Sequence, residues 1–116
     1  MAPRHSSQIC DKFQTAMDLL GKRWTGLIIR SIHPRPLRFS RLKEVLEVVG
    51  DKMLSERLKE LEETGIVERR VLDRPVLRVE YGLTTKGRAL TRVLTAAERW
   101  ADKWVDLPAQ KTARGR

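Results

Sequence analysis

The sequence contains a single cysteine, Cys10, and no other side chain suggests covalent chemistry as clearly. The thiolate is the form that reacts with oxidants and electrophiles, and nearby cations favour it. Arg4, His5 and Lys12 lie close to Cys10 along the chain, whereas the adjacent Asp11 opposes their effect. Two interpretations stay open: Cys10 is a redox or electrophile sensor, or it is an inert thiol packed at a subunit interface. Because the chain has no second cysteine, oxidation would have to form an intersubunit disulfide or a mixed disulfide with a small thiol.

The residue types that support catalysis or metal binding are otherwise scattered. The two histidines, His5 and His33, are isolated, and the sequence has neither a cysteine–histidine cluster with zinc-ligand spacing nor a glycine-rich phosphate loop. A thiol enzyme would need a base beside Cys10, and His5 is the only one nearby. We therefore expect no enzymatic activity, no metal site and no cofactor.

Charge is the more informative feature of this chain. Its 24 lysine and arginine residues outnumber 15 aspartate and glutamate residues, which gives a formal net charge of +9 at pH 7. A small domain this basic typically binds a polyanion, most often nucleic acid. No apolar run is long enough to span a membrane, residues 1–8 do not resemble a signal peptide, and a lone cysteine suits a reducing compartment. We expect a cytoplasmic, nucleoid-associated protein that binds double-stranded DNA and no membrane.

One small domain must position these charges. Apolar residues at helical spacing predict helices, and a change to period two after residue 65 predicts strands. The predicted helices cover residues 11–21, 24–32, 40–50, 51–64 and 86–105, with N-caps at Asp11, Ser40, Asp51 and Thr84 or Thr85. A short strand is expected at 37–39, and a hairpin has strands at 66–71 and 77–83 around a turn at residues 73–75. The inward positions are Leu42, Val45, Leu46 and Val49 in the third helix and Leu54, Leu58 and Leu61 in the fourth.

This order of elements predicts a mostly α fold with a small β-hairpin. Two helices joined by a tight turn, followed by a hairpin, are typical of a winged helix-turn-helix domain, here with a long C-terminal dimerisation helix. We expect the domain to occupy residues 10–106, after a flexible arm at 1–9 and before a basic, disordered tail at 107–116.

Several short motifs in this order resemble the HxlR family of bacterial and archaeal regulators. They are Cys10 at a helix start, the GKRWT run at 21–25, PLRFS at 36–40, KMLSERLKELE at 52–62, GIV at 65–67 and VEYGLT at 79–84. The sequence departs from the family at Arg41, where an acidic residue is frequent, and at Asp11, where proline usually follows the cysteine. The resemblance implies a winged-helix regulator that pairs through its terminal helices. Some relatives sense quinones, aldehydes or hypochlorite-type stress through a cysteine matching Cys10.

The fourth helix is the candidate recognition helix, because its first turns would enter the major groove. With the leucine stripe buried, its candidate base and phosphate contacts are Lys52, Ser55, Glu56 and Lys59, with Arg57 beside the stripe serving the backbone. The candidate backbone and wing contacts are Arg38, Arg41, Lys43, Arg70, Arg74 and Arg78, with Arg74 at the hairpin tip near the minor groove. The alternatives are a solvated helix face and a hairpin whose charges protect its edge.

The last helix carries an apolar face wider than a small domain can cover. The candidate dimer contacts are Leu90, Leu94, Ala97, Trp100 and Trp104 on that helix and Phe13 and Met17 on the first helix. The alternative is that this face only covers the chain's own core. A twofold dimer would read a palindrome with half-sites about 34–36 Å apart.

The sequence therefore predicts a homodimeric, sequence-specific transcription regulator, with an effector that the residues do not name. The alternative is a winged-helix module that binds protein or coats DNA as an architectural factor. Strong discrimination between one palindrome and random duplex would distinguish the first from the second.

Overall fold

The computed structural model describes the backbone of residues 4–108 and the side chains from Cys10 onward. Five helices and three strands alternate in the order expected of a winged helix. They are α1 (Arg4–Gly21), α2 (Thr25–Ile32), β1 (Leu37–Arg38), α3 (Phe39–Val45), α4 (Asp51–Glu63), β2 (Val67–Leu72), β3 (Arg78–Leu83) and α5 (Thr85–Trp104). The predicted fold class is confirmed.

The first helix is longer than predicted. It begins at Arg4 rather than near Asp11, so residues 4–9 of the expected flexible arm are helical. No glycine or proline lies between Arg4 and Leu20 to stop the helix, and Asp11 sits inside it, where its carbonyl accepts a hydrogen bond from the Thr15 hydroxyl (2.8 Å). Most of the predicted tail, residues 109–116, lies outside the described part of the chain.

The core lies between α2, α3, α4 and the base of the hairpin. It contains Ile28, Ile29, Ile32, Leu42, Leu46, Val49, Leu54, Leu58, Leu61, Ile66, Val67 and Leu83. The prediction that Val45 points inward is wrong, since its side chain is 48% exposed. The reason is that α3 ends at Val45, so the chain that follows no longer keeps helical spacing and turns Leu46 and Val49 into the core instead.

The third and fourth helices begin one or two residues away from the predicted caps. Phe39 is already helical, with Arg38 in the N-cap position, and Ser40 lies inside α3. Gly50 is the N-cap of α4, and Asp51 is its first helical residue. No side chain caps either start, so the extended backbone before each helix, rather than a polar cap, sets where it begins.

Helix α4 ends in a Schellman motif. Gly65 has a positive φ of 80°, its N–H donates to the Glu62 carbonyl (3.0 Å), and the Ile66 N–H donates to the Leu61 carbonyl (2.9 Å). Glycine adopts this left-handed backbone without the steric cost that a Cβ adds. The motif fixes the angle between α4 and β2, the strand that follows it.

The wing is a three-stranded sheet of order β1-β3-β2, not an isolated hairpin. Leu37 pairs with Tyr81, while Val67 at the start of β2 pairs with Leu83 at the end of β3. The two residues of β1 are too few to show a period, so the sequence predicted the strand but not its partner. This pairing anchors the segment before α3 to the wing.

The last helix starts where the sequence predicts. The Thr84 hydroxyl accepts a hydrogen bond from the Gly87 N–H (3.0 Å), which confirms Thr84 as an N-cap. Among the described residues, no helix combines the length and the apolar content that a membrane span requires.

Candidate nucleic-acid interface

The leucine stripe of α4 decides which of its residues face outward. Leu54, Leu58 and Leu61 are buried and Met53 packs partly against the core, so the opposite side of this helix, which has 3.6 residues per turn, faces solvent. The four predicted contacts are all exposed, namely Lys52, Ser55, Glu56 and Lys59. Within the described residues, none of these side chains takes part in an ion pair. The first turns of α4 therefore present donors and acceptors that are free to contact a ligand.

Arg57 is engaged within the chain. Its guanidinium Nε donates to the Arg23 carbonyl (2.9 Å), its Nη1 lies 3.3 Å from a Glu60 carboxylate oxygen, and the side chain is only 15% exposed. It lies beside the buried stripe, as the sequence predicted, but its donors bind the chain ahead of α2. The geometry gives Arg57 a positioning role within the chain, and its contact with the DNA backbone stays a prediction.

The acidic end of α4 is partly neutralised. Glu60 pairs with Lys22 (3.2 Å) as well as with Arg57, and Lys22 lies in the loop between α1 and α2. The rest of the negative charge, Glu62 and Glu63, lies at the end of α4 away from Lys52. An orientation with the N-terminal end of α4 toward a duplex keeps these carboxylates distant from phosphates.

The basic residues before and within α3 are exposed, and their ion pairs within the chain are weak. Arg38 has no ion-pair partner among the described residues, Arg41 pairs with Glu44 (2.8 Å), and Lys43 pairs with Asp51 (3.0 Å). Ion pairs in solvent contribute little stability. A phosphate can therefore replace either carboxylate at small cost, so all three predicted contacts remain available.

Among the wing arginines, Arg69 and Arg74 form no ion pair within the described residues, whereas Arg78 is bound within the wing. Arg74 is exposed at the tip, and its side chain makes no ion pair within the described chain. Arg78 donates to the carbonyls of Arg74 (2.7 Å) and Val76 (3.3 Å) and to the Glu80 carboxylate (3.1 Å). Arg78 therefore supports the tip that presents Arg74, and its own contact with DNA stays a prediction.

A third predicted wing contact, Arg70, lies at the edge strand β2. It pairs with Glu68 (2.6 Å) in a half-exposed position, and a Cβ added at Gly82 would lie 3.2 Å from its guanidinium carbon. Exposed charges of this kind also keep an edge strand from pairing with other chains. Arg70 can serve either role.

The predicted dimer contacts divide into two groups. Leu90 and Leu94 are partly buried against the chain's own core. Phe13 (62% exposed), Met17, Trp100 (62%) and Trp104 (63%) lie on the surface, as does Ala97. The first half of the apolar face of α5 thus covers the core. The second half leaves the indoles of Trp100 and Trp104 exposed to solvent.

Residues 19–109 match the family model described as HxlR-like helix-turn-helix, which spans most of the chain. This chain belongs to the HxlR-like helix-turn-helix family. The match includes α2, α3, α4, the wing and α5, which are the elements that carry every predicted DNA contact. Membership identifies the chain as a DNA-binding transcriptional regulator.

Two curated relatives come from Bacillus subtilis (strain 168). The HTH-type transcriptional regulator YvaP is 41% identical over 102 residues, which cover 88% of this chain and 94% of YvaP. The HTH-type transcriptional regulator YodB is 46% identical over 98 residues, covering 84% of this chain and 88% of YodB. Similarity over nearly the whole of both proteins extends the family assignment to the full described fold.

The solved structures include several states of redox-responsive relatives. The reduced form of B. subtilis YodB superposes with a TM-score of 0.76 at 46% identity, covering 82% of this chain and 93% of that one. A quinone-bound form of YodB matches with a TM-score of 0.71 at 45% identity over 82% and 100% of the two chains. The redox regulator HypR in its oxidized form matches with a TM-score of 0.75 at 28% identity over 83% and 99%.

Cys10 of this HxlR-family chain is exposed on α1. It lies one turn before Phe13 and two turns before Met17 on the same helix, both of which are exposed. In the single chain this thiol is open to small oxidants and electrophiles. It shares α1 with the predicted dimer contacts Phe13 and Met17, so the sensor and the interface thiol both stay predictions.

The intrachain hydrogen bonds by which Arg57 and Arg78 support α4 and the wing tip were not predicted from the sequence. Spacings of three along α4 and two along β3 do suggest the pairs with Glu60 and Glu80. The hydrogen bond from Arg57 to Arg23 joins residues 34 positions apart, and no local pattern in the sequence predicts it.

Proposed function

We propose that this HxlR-family chain binds a palindromic operator as a homodimer, with α4 in the major groove and the wing at the adjacent minor groove. The observation that carries the proposal is the exposed face of α4. Lys52, Ser55 and Lys59 stand free beside a buried leucine stripe, at the end of the helix where helix-turn-helix proteins contact bases. Arg74 at the wing tip supplies a cation of the type that narrow minor grooves favour.

The exposed aromatic face supports the dimer. Two tryptophans in water, with Phe13 and Met17 exposed on α1, form an apolar surface that a monomer rarely leaves open. A twofold pair would bury this surface and would place two copies of α4 on one duplex. Regulation of this kind needs no enzymatic activity, and the proposed site of action is the cytoplasmic chromosome.

The test measures fluorescence anisotropy of reduced protein on the intergenic DNA upstream of its own gene, with a scrambled duplex as competitor. A preference of about a thousandfold or more for the intergenic duplex is expected of a specific regulator. Lys52→Ala and Ser55→Ala should each reduce that preference, while Arg92→Ala, at an exposed position of α5 away from the predicted DNA and dimer contacts, should not. Equal binding to both duplexes would refute the proposal and favour an architectural role, and weak binding to both would favour a protein-binding module.

A redox response through Cys10 is a second element of the proposed function. It is supported by the exposure of the thiol and by relatives solved in reduced, quinone-bound and oxidized forms. We expect a quinone or diamide to form an adduct or an intersubunit disulfide at Cys10 and to change operator affinity. Intact-mass measurement paired with anisotropy tests this, and Cys10→Ser should abolish both changes. An unmodified Cys10, or an unchanged affinity after modification, would contradict the redox response.

A further inference from the structure

A cavity of about 390 Å³ lies between α1, the turn after α4 and the first turn of α5. Its wall is mainly apolar, with Ala16 and Leu19 from α1, Ile66 after the turn, and Leu90 from α5. This volume is within the range of sites that bind small organic molecules. Apart from Leu90, no residue assigned above to DNA or to the dimer lines it, so the proposed function leaves the cavity unused.

Two lysines give the cavity its charge. Lys12 of α1 and Lys86 of α5 both line it, and neither forms an ion pair with any residue in the described part of the chain. The first turn of α5 has no acidic residue, so the positive end of its helix dipole adds to the charge of Lys86. An apolar cavity bordered by uncompensated cations favours a ligand with an apolar body and an anionic head.

We propose that this cavity binds a small organic acid. Its hydrocarbon body, aromatic or branched, would lie against Leu19, Ile66 and Leu90, and its carboxylate would be bound by Lys12 and Lys86. The burial of apolar surface supplies most of the affinity, and the charge-assisted hydrogen bonds from the ammonium groups select an acid over a neutral molecule of the same shape.

Lys86 also connects the cavity to the recognition helix. Its ammonium donates to the Thr64 carbonyl oxygen (2.6 Å), and Thr64 is the C-cap of α4. In that position the charge stabilises the negative end of the α4 dipole. A bound carboxylate neutralises part of the charge that this ammonium presents to the end of α4, so occupancy is expected to weaken operator binding. This consequence rests on the proposed function, whereas binding of the acid does not.

Calorimetry on the reduced full-length protein tests the binding step. The probes are benzoate, 2-naphthoate and octanoate, with 2-naphthalenemethanol as a neutral analogue of the second. We expect saturable binding of at least one acid, with the neutral analogue about tenfold weaker or worse. Lys12→Met and Lys86→Met should each lower the affinity about tenfold. Ala16→Leu should weaken binding by occupying part of the cavity, and Arg92→Met, at an exposed position on the same helix as Lys86 and outside the cavity, should leave binding unchanged.

Three results would overturn the proposal. These are no binding of any of the three acids at millimolar concentration, equal binding of the acid and its neutral analogue, or undiminished binding in both lysine variants. If the acids fail while Ala16→Leu shifts the dimerisation constant in sedimentation equilibrium, a second copy of the chain occupies the cavity instead. Circular dichroism of each variant establishes that it has folded.

A separate arm measures operator affinity by anisotropy with and without the saturating acid. We expect about a fivefold or larger loss of affinity in the unmodified chain, within the usual range of coupling between two sites, and no loss in Lys86→Met. An unchanged affinity would refute the coupling through Thr64. A lack of specific DNA binding without the acid would refute the proposed function, yet the calorimetric result would stand by itself.

Discussion

At the scale of single residues, basic side chains of the same type have different tasks in this chain. Arg57 and Arg78 are largely buried and donate to backbone carbonyls, whereas Lys59 and Arg74 are exposed and free of ion pairs. Arg57 and Arg78 hold α4 and the wing in position. Lys59 and Arg74 present positive charge to solvent. Composition alone does not distinguish these four residues. Substitutions should distinguish them, because some should change the free energy of unfolding and others the affinity for DNA.

Arg57→Met and Lys59→Met form such a comparison at positions two residues apart on α4. Loss of the hydrogen bond to the Arg23 carbonyl should lower the free energy of unfolding of Arg57→Met by about 1 kcal/mol. Lys59→Met should retain full stability and lose DNA affinity. Urea denaturation and anisotropy of both variants check this prediction. It would be contradicted if Arg57→Met were as stable as the unmodified chain.

Arg74→Met addresses the wing tip. The exposed guanidinium has no ion pair to lose among the described residues, so stability should not change. If Arg74 binds a phosphate or the minor groove, the slope of log affinity against log salt should fall in magnitude by about one. Anisotropy at four salt concentrations measures the slope. An identical slope in variant and unmodified protein would place the wing tip away from DNA.

At the scale of secondary-structure elements, the packing of α5 on the wing depends on glycine at position 87, which has no side chain. A Cβ at Gly87 would overlap the Ile66 carbonyl oxygen, which is backbone and has little room to move. This contact joins the first turn of α5 to the segment between α4 and β2. Thr84 strengthens the same junction, because its backbone N–H donates to the Ile66 carbonyl (3.1 Å).

Gly87→Ala should therefore lower the free energy of unfolding by about 1–3 kcal/mol, the usual range for overpacking. Gly26→Ala is the matched control, since its new Cβ would meet only the Leu94 Cδ2 at 3.6 Å, an ordinary contact. That substitution lies in α2 and should be neutral or stabilising by up to about 1 kcal/mol. Thermal and urea unfolding of the two variants give the comparison, and equal effects would show that the junction can relax.

The same elements show how far the sequence determines the fold. Local chemistry predicts the start of α5 at Thr84 and the end of α4 at residue 64, just before Gly65. Both predictions are confirmed. Arg4 and Val45 show the limit of local chemistry. The apolar pattern places the start of α1 near Asp11 although Pro3, a typical residue at a helix start, directly precedes Arg4. The end of α3 follows from packing of the turn against the core rather than from a breaking residue. Patterns in the sequence predict the exposed face of α4, but long-range bonds such as that of Arg57 follow only from the fold.

At the scale of the whole molecule, the chain is more extended than its length requires. Its radius of gyration is 17.2 Å, against about 13 Å for a compact domain of similar size. The helical core and the wing account for the buried residues, while the outer parts of α1 and α5 carry the exposed aromatic side chains. An extended chain with apolar outer helices suits a protein that completes its packing with a second copy.

Trp100→Ser combined with Trp104→Ser should therefore weaken self-association without unfolding the domain, because both indoles are largely exposed. Sedimentation equilibrium should show a monomer where the unmodified chain is a dimer. Affinity for a full palindrome should fall, while affinity for a half-site should not. Val71→Ser, at an exposed valine on the wing, controls for the loss of apolar surface. A double variant that still forms a dimer would place the subunit interface elsewhere.

The distribution of the three tryptophans has a spectroscopic consequence. Trp24 is half-buried against the core, whereas Trp100 and Trp104 are in solvent in the single chain. Pairing of two chains would move two of the three indoles out of water and leave the third unchanged. The emission maximum of the unlabelled protein should then shift to shorter wavelength as concentration rises, so that a simple dilution series reads its assembly state without any attached dye.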